Sequence, residues 1–386
     1  MLNKIIVFVI TFAFLPSIFT INAGAAEISI SAHSAVVMNA FTGEVIYAKN
    51  PYEKRGMAST TKIMTALLAV ESGLLQRQFR VTGADVAVEG TSAGLKAGDV
   101  VSLDVLVKGM LLESGNDAAN VTATAIGPGK KKFIALMNKR AKEIGMNSTS
   151  FKNPSGLTEE GHYSTAFDMA LLASEAIKNK AFREYCSAKS FRVALGSPSR
   201  EITFYNHNRF LSMYEGAFGI KTGFTKASGR CLITAVERDG AVLVGVTLKA
   251  PDDWNDHKKM FDYSFNKLKR INVNTDCESI QIPVVGGNEK YVKAALLTPL
   301  CFWATENFEG YKTETYVTPF LYAGINKNDC LGRVAVLNKQ GKVITFSYLY
   351  AVEDVAPSVT ETQKEDKPFY KKIIENIKEG LSERQA

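Results

Sequence analysis

Hydrophobic and polar positions alternate in two ways along the first half of the chain, and each way predicts a different kind of element. Two β-rich runs flank Phe41-Thr42-Gly43 and predict a hairpin. Helical spacing of apolar residues then begins at Ser59 and stops at Gly73. Further helical patterns cover residues 101–112, 118–125 and 131–144 and break at Asn153-Pro154-Ser155-Gly156.

After Lys221 the pattern changes to strands. Residues 231–236 and 242–248 are β-rich runs joined through Arg238-Asp239-Gly240, which predicts a second hairpin. An amphipathic helix that contains Trp254 and Phe261 follows. Because helices lie between an N-terminal and a C-terminal hairpin, residues 27–272 are predicted to form an α/β domain with a mainly antiparallel sheet.

The last third of the chain divides into a β-rich part and a polar, then amphipathic, tail. Short β-rich runs in residues 273–355, among them 280–285 and 316–320, predict a small all-β sandwich or barrel. Residues 356–386 are read as a charged linker and a C-terminal amphipathic helix, which would lie in a membrane interface. An ordinary solvated or domain-packed helix is the alternative. The apolar face of this helix comprises Phe369, Tyr370, Ile373, Ile374, Ile377 and Leu381.

The N-terminus and the composition predict an exported protein. Residues 1–26 combine a basic start, an apolar run and Ala23-Gly24-Ala25, which is typical of a secretory signal peptide, with an uncleaved anchor as the alternative. The net charge of +7 is mild for 386 residues, and without a Lys/Arg block it indicates no nucleic-acid partner. Five cysteines without CxxC spacing and four scattered histidines favour neither a disulfide scaffold nor a metal site, and no cofactor is expected.

Three short motifs, in order, supply the groups needed for acyl transfer: Ser59-Thr60-Thr61-Lys62, Ser114-Gly115-Asn116 and Lys221-Thr222-Gly223. Ser59 lies at a helix start, where free backbone N–H groups favour an oxyanion. Lys62 lies on the same helical face and can take the serine proton if burial and the cation of Lys221 lower its pKa. Ser114 could relay a proton, and Asn116 could bind a substrate amide. A loop with purely local hydrogen bonds is the alternative for that motif.

One further copy of the first pattern shows that it is weak by itself. Ser264-Phe265-Asn266-Lys267 satisfies both Ser-x-x-Lys and Ser-x-Asn, yet it lies in the predicted amphipathic helix and has no accompanying motif. The functional reading of Ser59, Ser114 and Lys221 therefore depends on their order and on their predicted positions at a helix start, a loop and a strand edge.

With its flanking blocks, this set of motifs resembles the low-molecular-mass penicillin-binding proteins that act as D-alanyl-D-alanine carboxypeptidases, the peptidase S11-like family. The resemblance includes Asn153-Pro154-Ser155-Gly156-Leu157 and the segment from Gly219 to Thr225. It implies a serine β-lactamase/penicillin-binding transpeptidase-like fold, with Ser59 as nucleophile and Lys62 as base. It implies that Ser114, Asn116 and Lys221 complete the catalytic polar cluster.

The same resemblance implies how the substrate is bound. The backbone N–H groups of Ser59 and Phe224 would form the oxyanion hole, and the substrate would contact Lys221, Thr222, Gly223, Phe224 and Thr225. Some relatives carry an arginine in an Asn-x-Asn stretch before this strand. Here Asn206-His207-Asn208 places His207 there, so either His207 or another residue contributes to binding the terminal carboxylate.

The implied reaction is removal of the terminal D-Ala from peptidoglycan stem pentapeptides outside the cytoplasm, with β-lactam antibiotics as covalent inhibitors and the tail on the outer face of the cytoplasmic membrane. A β-lactamase is the closest alternative, and it would turn over penicillin faster than it releases D-Ala. A non-catalytic wall-binding or β-lactam-sensing relative is the second alternative. Labelling of Ser59 with fluorescent penicillin would distinguish the catalytic protein from that relative.

Overall fold

The computed structural model describes residues 28–127, 129–274 and 279–358. The predicted signal segment and the predicted tail helix lie outside the described residues. The helices are α1 (Lys62–Glu71), α2 (Gly83–Val86), α3 (Leu103–Lys108), α4 (Asn116–Ile126), α5 (Lys130–Ile144), α6 (Ala166–Ala176), α7 (Lys180–Ser187), α8 (Phe210–Met213) and α9 (Asp253–Phe265). A 3₁₀ turn (Ala58–Thr61) precedes α1, and a π-helical turn (Gly109–Glu113) follows α3.

The strands fall into two groups along the chain. The first group is β1 (Ser34–Asn39), β2 (Val45–Lys49), β3 (Gln78–Arg80), β4 (Val100–Ser102), β5 (Ser190–Leu195), β6 (Arg200–Tyr205), β7 (Ala217–Thr225), β8 (Gly229–Arg238) and β9 (Ala241–Leu248). The second group is β10 (Leu268–Asn272), β11 (Ile280–Val285), β12 (Tyr291–Leu296), β13 (Cys301–Thr305), β14 (Tyr311–Val317), β15 (Leu321–Tyr322), β16 (Cys330–Asn338) and β17 (Val343–Ala351).

A five-stranded antiparallel sheet forms the centre of the first region, in the order β2-β1-β9-β8-β7. Strand β9 is buried along its whole length because helices cover both faces of the sheet. One face packs on the main core with α1, α4 and α6, and the other packs on α9. This confirms the expected α/β layers with a mainly antiparallel sheet, and it leaves β7 at the sheet edge.

The second predicted hairpin is present and has a defined turn. Asp239 and Gly240 both have positive φ, +51° and +82°, as a two-residue type I′ connection between β8 and β9 requires. The β5–β6 hairpin was not predicted from the sequence, because its outward-facing charged residues weaken the hydrophobic signal.

The C-terminal region is all-β, as expected. A six-stranded sheet has the order β14-β16-β17-β12-β11-β15, and β10 pairs with β13 beside it. The predicted run 280–285 coincides with β11, whereas the run predicted at 316–320 overlaps only the end of β14. The predicted boundary at residue 272 falls at the last residue of β10. Among the described residues, no helix combines the length and apolar character needed to cross a bilayer.

Candidate active site

The Ser59–Lys62 pair is created by a change of helix type. Ser59 lies in the 3₁₀ turn, and Lys62 is the first residue of α1. Because side chains at i and i+3 eclipse in a 3₁₀ helix, the two side chains point the same way. Lys62 Nζ consequently lies 3.0 Å from Ser59 Oγ.

Lys62 has the hydrogen-bond partners that suit a neutral amine. Besides Ser59 Oγ, its Nζ lies 2.6 Å from Asn116 Oδ1 and 2.7 Å from the carbonyl oxygen of Ser155. Both of these oxygens are acceptors. A neutral amine can donate to both and use its lone pair to accept the Ser59 hydroxyl proton. The side chain is fully buried, so water does not compete for these positions.

The electrostatic surroundings favour the neutral form. Burial lowers the pKa of Lys62 well below its usual value, the cation of Lys221 lowers it further, and Asp117 opposes both. Burial also lowers the pKa of Lys221, to about 7, against the opposing effect of Glu113. Lys221 Nζ donates to the carbonyl oxygen of Thr222 at 3.0 Å. The role of Lys62 as a base beside a second cation stays a prediction, and the lowered pKa values of both lysines are consistent with it.

The second motif enters the site from the π-helical turn. Ser114 follows that turn with positive φ (+66°), and Asn116 is the first residue of α4. π-helical turns of this kind occur frequently at functional sites. Asn116 Oδ1 lies beside Lys62, and its Nδ2 donates to the Glu89 carbonyl oxygen at 2.6 Å, which fixes the orientation of the amide. Asn116 therefore orients Lys62, and its predicted contact with a substrate amide stays a prediction.

Strand β7 approaches the 3₁₀ turn as closely as a glycine permits. A Cβ atom at Gly223 would lie 3.0 Å from the backbone nitrogens of Ser59 and Thr60, tighter than almost all real contacts. Because β7 is the edge strand, its outer side is open to an extended peptide. The absence of a side chain at position 223 brings this edge beside the nucleophile.

A groove of about 500 Å³ runs past these groups. It is lined by Ser59, Thr91, Ser114, His207, Arg209, Thr222, Gly223, Phe224, Arg230, Asp253 and Trp254. A larger cleft, of about 1160 Å³, lies between the β8–β9 turn and the C-terminal sheet, and none of the predicted site residues lines it. The groove, rather than the larger cleft, is therefore the candidate active site, because the side chains that can perform acyl transfer converge there.

The groove contains most, but not all, of the predicted substrate contacts. His207 lies on its wall with half of its side chain exposed, and its Nε2 is 3.2 Å from Glu113 Oε1. Thr225 does not line the groove. Its hydroxyl instead accepts from Ser228 N–H at 3.0 Å within the β7–β8 turn. Lys62, Lys221 and Asn116 lie behind the wall.

The loop at residues 153–157 supplies a contact that motif analysis did not assign. Its Ser155 carbonyl accepts from Lys62, and Asn153 Oδ1 accepts from Gly156 N–H at 2.7 Å. Gly156 has φ +91°, and a Cβ there would lie 1.9 Å from the Ala58 carbonyl oxygen, so only glycine fits. The Asn-Pro-Ser-Gly sequence was visible as a turn, but a backbone carbonyl has no residue type by which a sequence could mark it.

Asp117 is a second buried group that motif analysis did not assign. Its carboxylate accepts from the backbone N–H groups of Ala93 and Leu95, at 2.8 and 3.1 Å, and from Ser92 Oγ. These bonds hold the glycine-rich segment before β4 against the start of α4. The only sequence signal for Asp117 was an acidic residue in the first turn of a helix, a pattern that many helices share.

Together these groups can perform nucleophilic acyl transfer. A buried amine is positioned to take the serine proton, and a second lysine with a lowered pKa and a further hydroxyl adjoin the same groove. In the described part of the chain, no three His, Cys, Asp or Glu side chains cluster as metal ligands would.

Comparison with known proteins gives a consistent result. The sequence model of a family described as D-alanyl-D-alanine carboxypeptidase (Peptidase S11) matches residues 21–252. The chain is 31% identical to D-alanyl-D-alanine carboxypeptidase DacF of Bacillus subtilis, over 92% of this chain and 94% of that protein. It is 33% identical to a D-alanyl-D-alanine carboxypeptidase of Streptomyces sp. K15, over 61% and 88%.

Solved structures agree with the sequence relatives. The D-alanyl-D-alanine carboxypeptidase DacD of Francisella tularensis superposes with a TM-score of 0.60 at 26% identity, covering 86% of this chain and 95% of that one. The Streptomyces K15 DD-transpeptidase gives the same TM-score at 33% identity, covering 62% of this chain and 99% of that one.

Proposed function

Since this chain belongs to the D-alanyl-D-alanine carboxypeptidase family, peptidase family S11, we propose that it removes the terminal D-Ala from peptidoglycan stem pentapeptides through an acyl-enzyme on Ser59. The observation that carries the residue assignment is the contact between Ser59 Oγ and the buried amine of Lys62, whose other two partners are acceptors. A buried lysine whose other two partners are acceptors can take the serine proton as a base, and it is not a solvated surface lysine.

The first half of the reaction acylates Ser59. Lys62 takes the hydroxyl proton as Ser59 Oγ attacks the carbonyl carbon of the penultimate D-Ala. Negative charge develops on the carbonyl oxygen, between the backbone N–H groups of Ser59 and Phe224. Ser114 passes a proton to the leaving nitrogen and takes one from Lys62, the C–N bond breaks, and the terminal D-Ala departs as the free amino acid, which leaves Lys62 neutral.

The second half of the reaction restores the enzyme. Water gives a proton to Lys62 and attacks the ester carbonyl, and the same N–H groups hold the oxyanion. The C–O bond to Ser59 then breaks, and Lys62 returns the proton to Ser59 Oγ. A β-lactam would acylate the same serine, because ring opening also breaks an amide C–N bond. Its amine stays covalently attached after ring opening, so it remains in the groove and hinders the attack of water.

The edge of β7 determines the direction in which the substrate peptide lies in the groove. An extended peptide can pair with this edge as an additional strand, at the place where Gly223 allows the backbone to come close to Ser59. Thr222 and His207 line the same groove and are available to the leaving residue.

The decisive experiment measures D-Ala release from a pentapeptide by the mature protein and by its Ser59→Ala variant. Release by the wild type and its loss in the variant are expected. Penicillin hydrolysis that is faster than D-Ala release would instead favour a β-lactamase. Absence of covalent penicillin labelling, or labelling that persists in Ser59→Ala, would contradict the serine mechanism.

The proposal also includes placement outside the cytoplasm, at the membrane surface. The signal-like residues 1–26 and the amphipathic pattern of residues 367–386 support it. Truncation after residue 366 is expected to move the protein from the membrane fraction to the soluble fraction. Unchanged fractionation would contradict the membrane role of the tail.

A further inference from the structure

His162 is a buried histidine that belongs to none of the three motifs and that takes no part in the proton transfers described above. Its ring lies between two segments of the chain. The backbone N–H of Lys152 donates to Nδ1 at 3.0 Å, and Nε2 lies 2.9 Å from Thr61 Oγ1. Thr61 is the last residue of the 3₁₀ turn, directly before Lys62. His162 therefore connects the loop at residues 152–162 to the turn that contains the nucleophile.

The two partners of the ring define its protonation state. A backbone N–H can only donate, so Nδ1 accepts and has no proton of its own. In a neutral imidazole the proton then lies on Nε2, which donates to Thr61 Oγ1. Burial lowers the pKa of His162 to about 4, with Glu159 opposing this effect and Lys152 adding to it. The ring is therefore neutral near pH 7, and both of its nitrogens are used to join the two segments.

The loop that His162 holds reaches the base of the reaction directly. The Ser155 carbonyl accepts from Lys62 Nζ at 2.7 Å, and the Pro154 carbonyl accepts from Thr65 Oγ1 at 2.7 Å. The bond to Ser155 fixes one of the two directions in which the neutral amine donates, and it thereby keeps the lone pair on the side of Ser59. A displaced loop would remove this acceptor and leave the amine free to rotate.

We propose that His162 is a positioning residue for the acylation of Ser59, because it joins the loop to the 3₁₀ turn and so keeps the Ser155 carbonyl against the Lys62 amine. The proposal rests on the proposed function, since it gives His162 a part in activating the nucleophile. His162 does not line the substrate groove; it lines a separate cavity of about 200 Å³ together with Ala58. Its effect on the reaction must therefore pass through the turn and the loop.

A second buried histidine has similar contacts elsewhere and provides a matched control. His257, in α9, lies 2.6 Å from Thr234 Oγ1 and 3.0 Å from Thr247 Oγ1, and burial lowers its pKa to about 3. Its ring packs against Phe261, on the face of the sheet that α9 covers. Because neither threonine partner of His257 lines the groove, loss of this ring should affect stability without affecting the geometry of Ser59.

The test measures acylation of Ser59 by a chromogenic β-lactam in stopped flow, with the rates referred to folded protein. His162→Leu loses both ring bonds, and its limiting acylation rate constant is expected to fall roughly 10- to 100-fold, the scale of a misplaced catalytic group. The β-lactam concentration for half-maximal rate should change by less than about 3-fold, since the groove is intact. His257→Leu should melt at a lower temperature and keep its acylation rate constant within about 3-fold of the wild type.

Three further variants test the bond between the ring and the turn, and they remain informative if His162→Leu does not fold. Thr61→Val removes the acceptor of Nε2 and should lower the same rate constant, whereas Thr61→Ser restores a hydroxyl and should recover most of the loss. His162→Gln should also recover part of the rate that His162→Leu loses, because its amide can donate to Thr61 Oγ1. In the double variant of Thr61→Val and His162→Leu, the loss should not exceed the larger single loss, since both changes break one connection.

The outcomes separate this inference from the function on which it rests. Wild-type acylation rate constants in folded Thr61→Val or His162→Leu would overturn it. A loss confined to the half-saturating concentration, or an equal loss of rate in His257→Leu, would overturn it as well. Losses that multiply in the double variant would show that the two residues act separately and would also overturn it. A wild type that no β-lactam acylates would instead remove the proposed function.

Discussion

Two segments of this chain carry the pattern Ser-x-x-Lys, and their surroundings differ in almost every respect. In the first, Ser59 lies in the 3₁₀ turn and Lys62 begins α1, and the amine lies 3.0 Å from the hydroxyl. In the second, Ser264 is buried near the end of α9, and Lys267 lies beyond the helix with its Nζ 4.3 Å from the centre of the Tyr263 ring. The pattern is the same, but only the first pair makes a serine–amine contact.

The contrast shows what turns the spacing into a site. Lys62 is enclosed, and it touches oxygens from α4 and from the 153–157 loop, which are far away in the sequence. Lys267 is partly exposed and contacts the ring of Tyr263, a residue of the helix that precedes it. A lowered lysine pKa requires burial and a neighbouring cation, and neither follows from the tetrad itself.

The largest expected difference between the two segments is in the serines. Ser59→Ala should abolish penicillin labelling and reduce D-Ala release by roughly 10⁴-fold or more, because the nucleophile is lost. Ser264→Ala should keep wild-type labelling and release. Labelling kinetics and a D-Ala assay on the two variants test the contrast, and loss of labelling in Ser264→Ala with an intact fold would contradict it.

The second-largest expected difference is between the two lysines of these segments, Lys62 and Lys267. Lys62→Met is expected to slow acylation by about 10²- to 10⁴-fold, the range of a lost general base, and to lower the free energy of unfolding by about 1–3 kcal/mol, because two buried oxygen acceptors lose their donor. Lys267→Met should leave the acylation rate unchanged. Stopped-flow acylation by a β-lactam, together with thermal melts, measures both effects. Similar acylation rates in the two variants would show that Lys62 is not the base.

A pH profile sharpens the comparison further. The Lys221 cation is one of the causes of the lowered pKa of Lys62, so Lys221→Gln should raise that pKa. Since Lys62 must be deprotonated to act, the acidic limb of kcat/KM should move to higher pH, whatever the change in absolute rate. Because the pKa of Lys221 is itself about 7, the wild-type effect of its cation is largest below that pH. Lys267→Gln should not move the limb, and an unmoved limb in Lys221→Gln would contradict the electrostatic coupling.

The smallest expected effect is on stability. Within the described structure, Ser264 Oγ is buried without a hydrogen-bond partner. Ser264→Ala should therefore raise the free energy of unfolding by about 1 kcal/mol, since a desolvated hydroxyl is removed. Chemical denaturation of this variant beside Ser59→Ala measures the difference. A lower free energy of unfolding for Ser264→Ala would contradict the absence of a hydrogen-bond partner for this hydroxyl.

Much of the fold was predictable because its signals are local. The hairpins at Phe41-Thr42-Gly43 and Arg238-Asp239-Gly240 combine alternating strands with turn residues, and both are present. The β5–β6 hairpin escaped prediction because charged residues on its outward faces interrupt the apolar residues that pack on the core. The extent of β14 was misjudged because it is an exposed edge strand whose polar residues resemble a loop.

The site was predictable in its motifs and unpredictable in its supporting contacts. Ser59, Ser114 and Lys221 stand out through residue type and order. The Ser155 carbonyl has no distinguishing residue type, and Thr61 and His162 are 101 residues apart with no spacing rule to connect them. His207 was considered for the substrate carboxylate because of its position in the sequence, whereas the structure places it beside Glu113.

By itself, the sequence determined the order of the elements, the three motifs and the resemblance that they carry. It determined these because turn chemistry, side-chain periodicity and residue type act over a few neighbouring positions. Only the tertiary structure decided which of the two Ser-x-x-Lys tetrads has its lysine buried against a carbonyl and an amide. Burial and electrostatic coupling depend on groups brought together from distant parts of the chain, and a local pattern does not encode them.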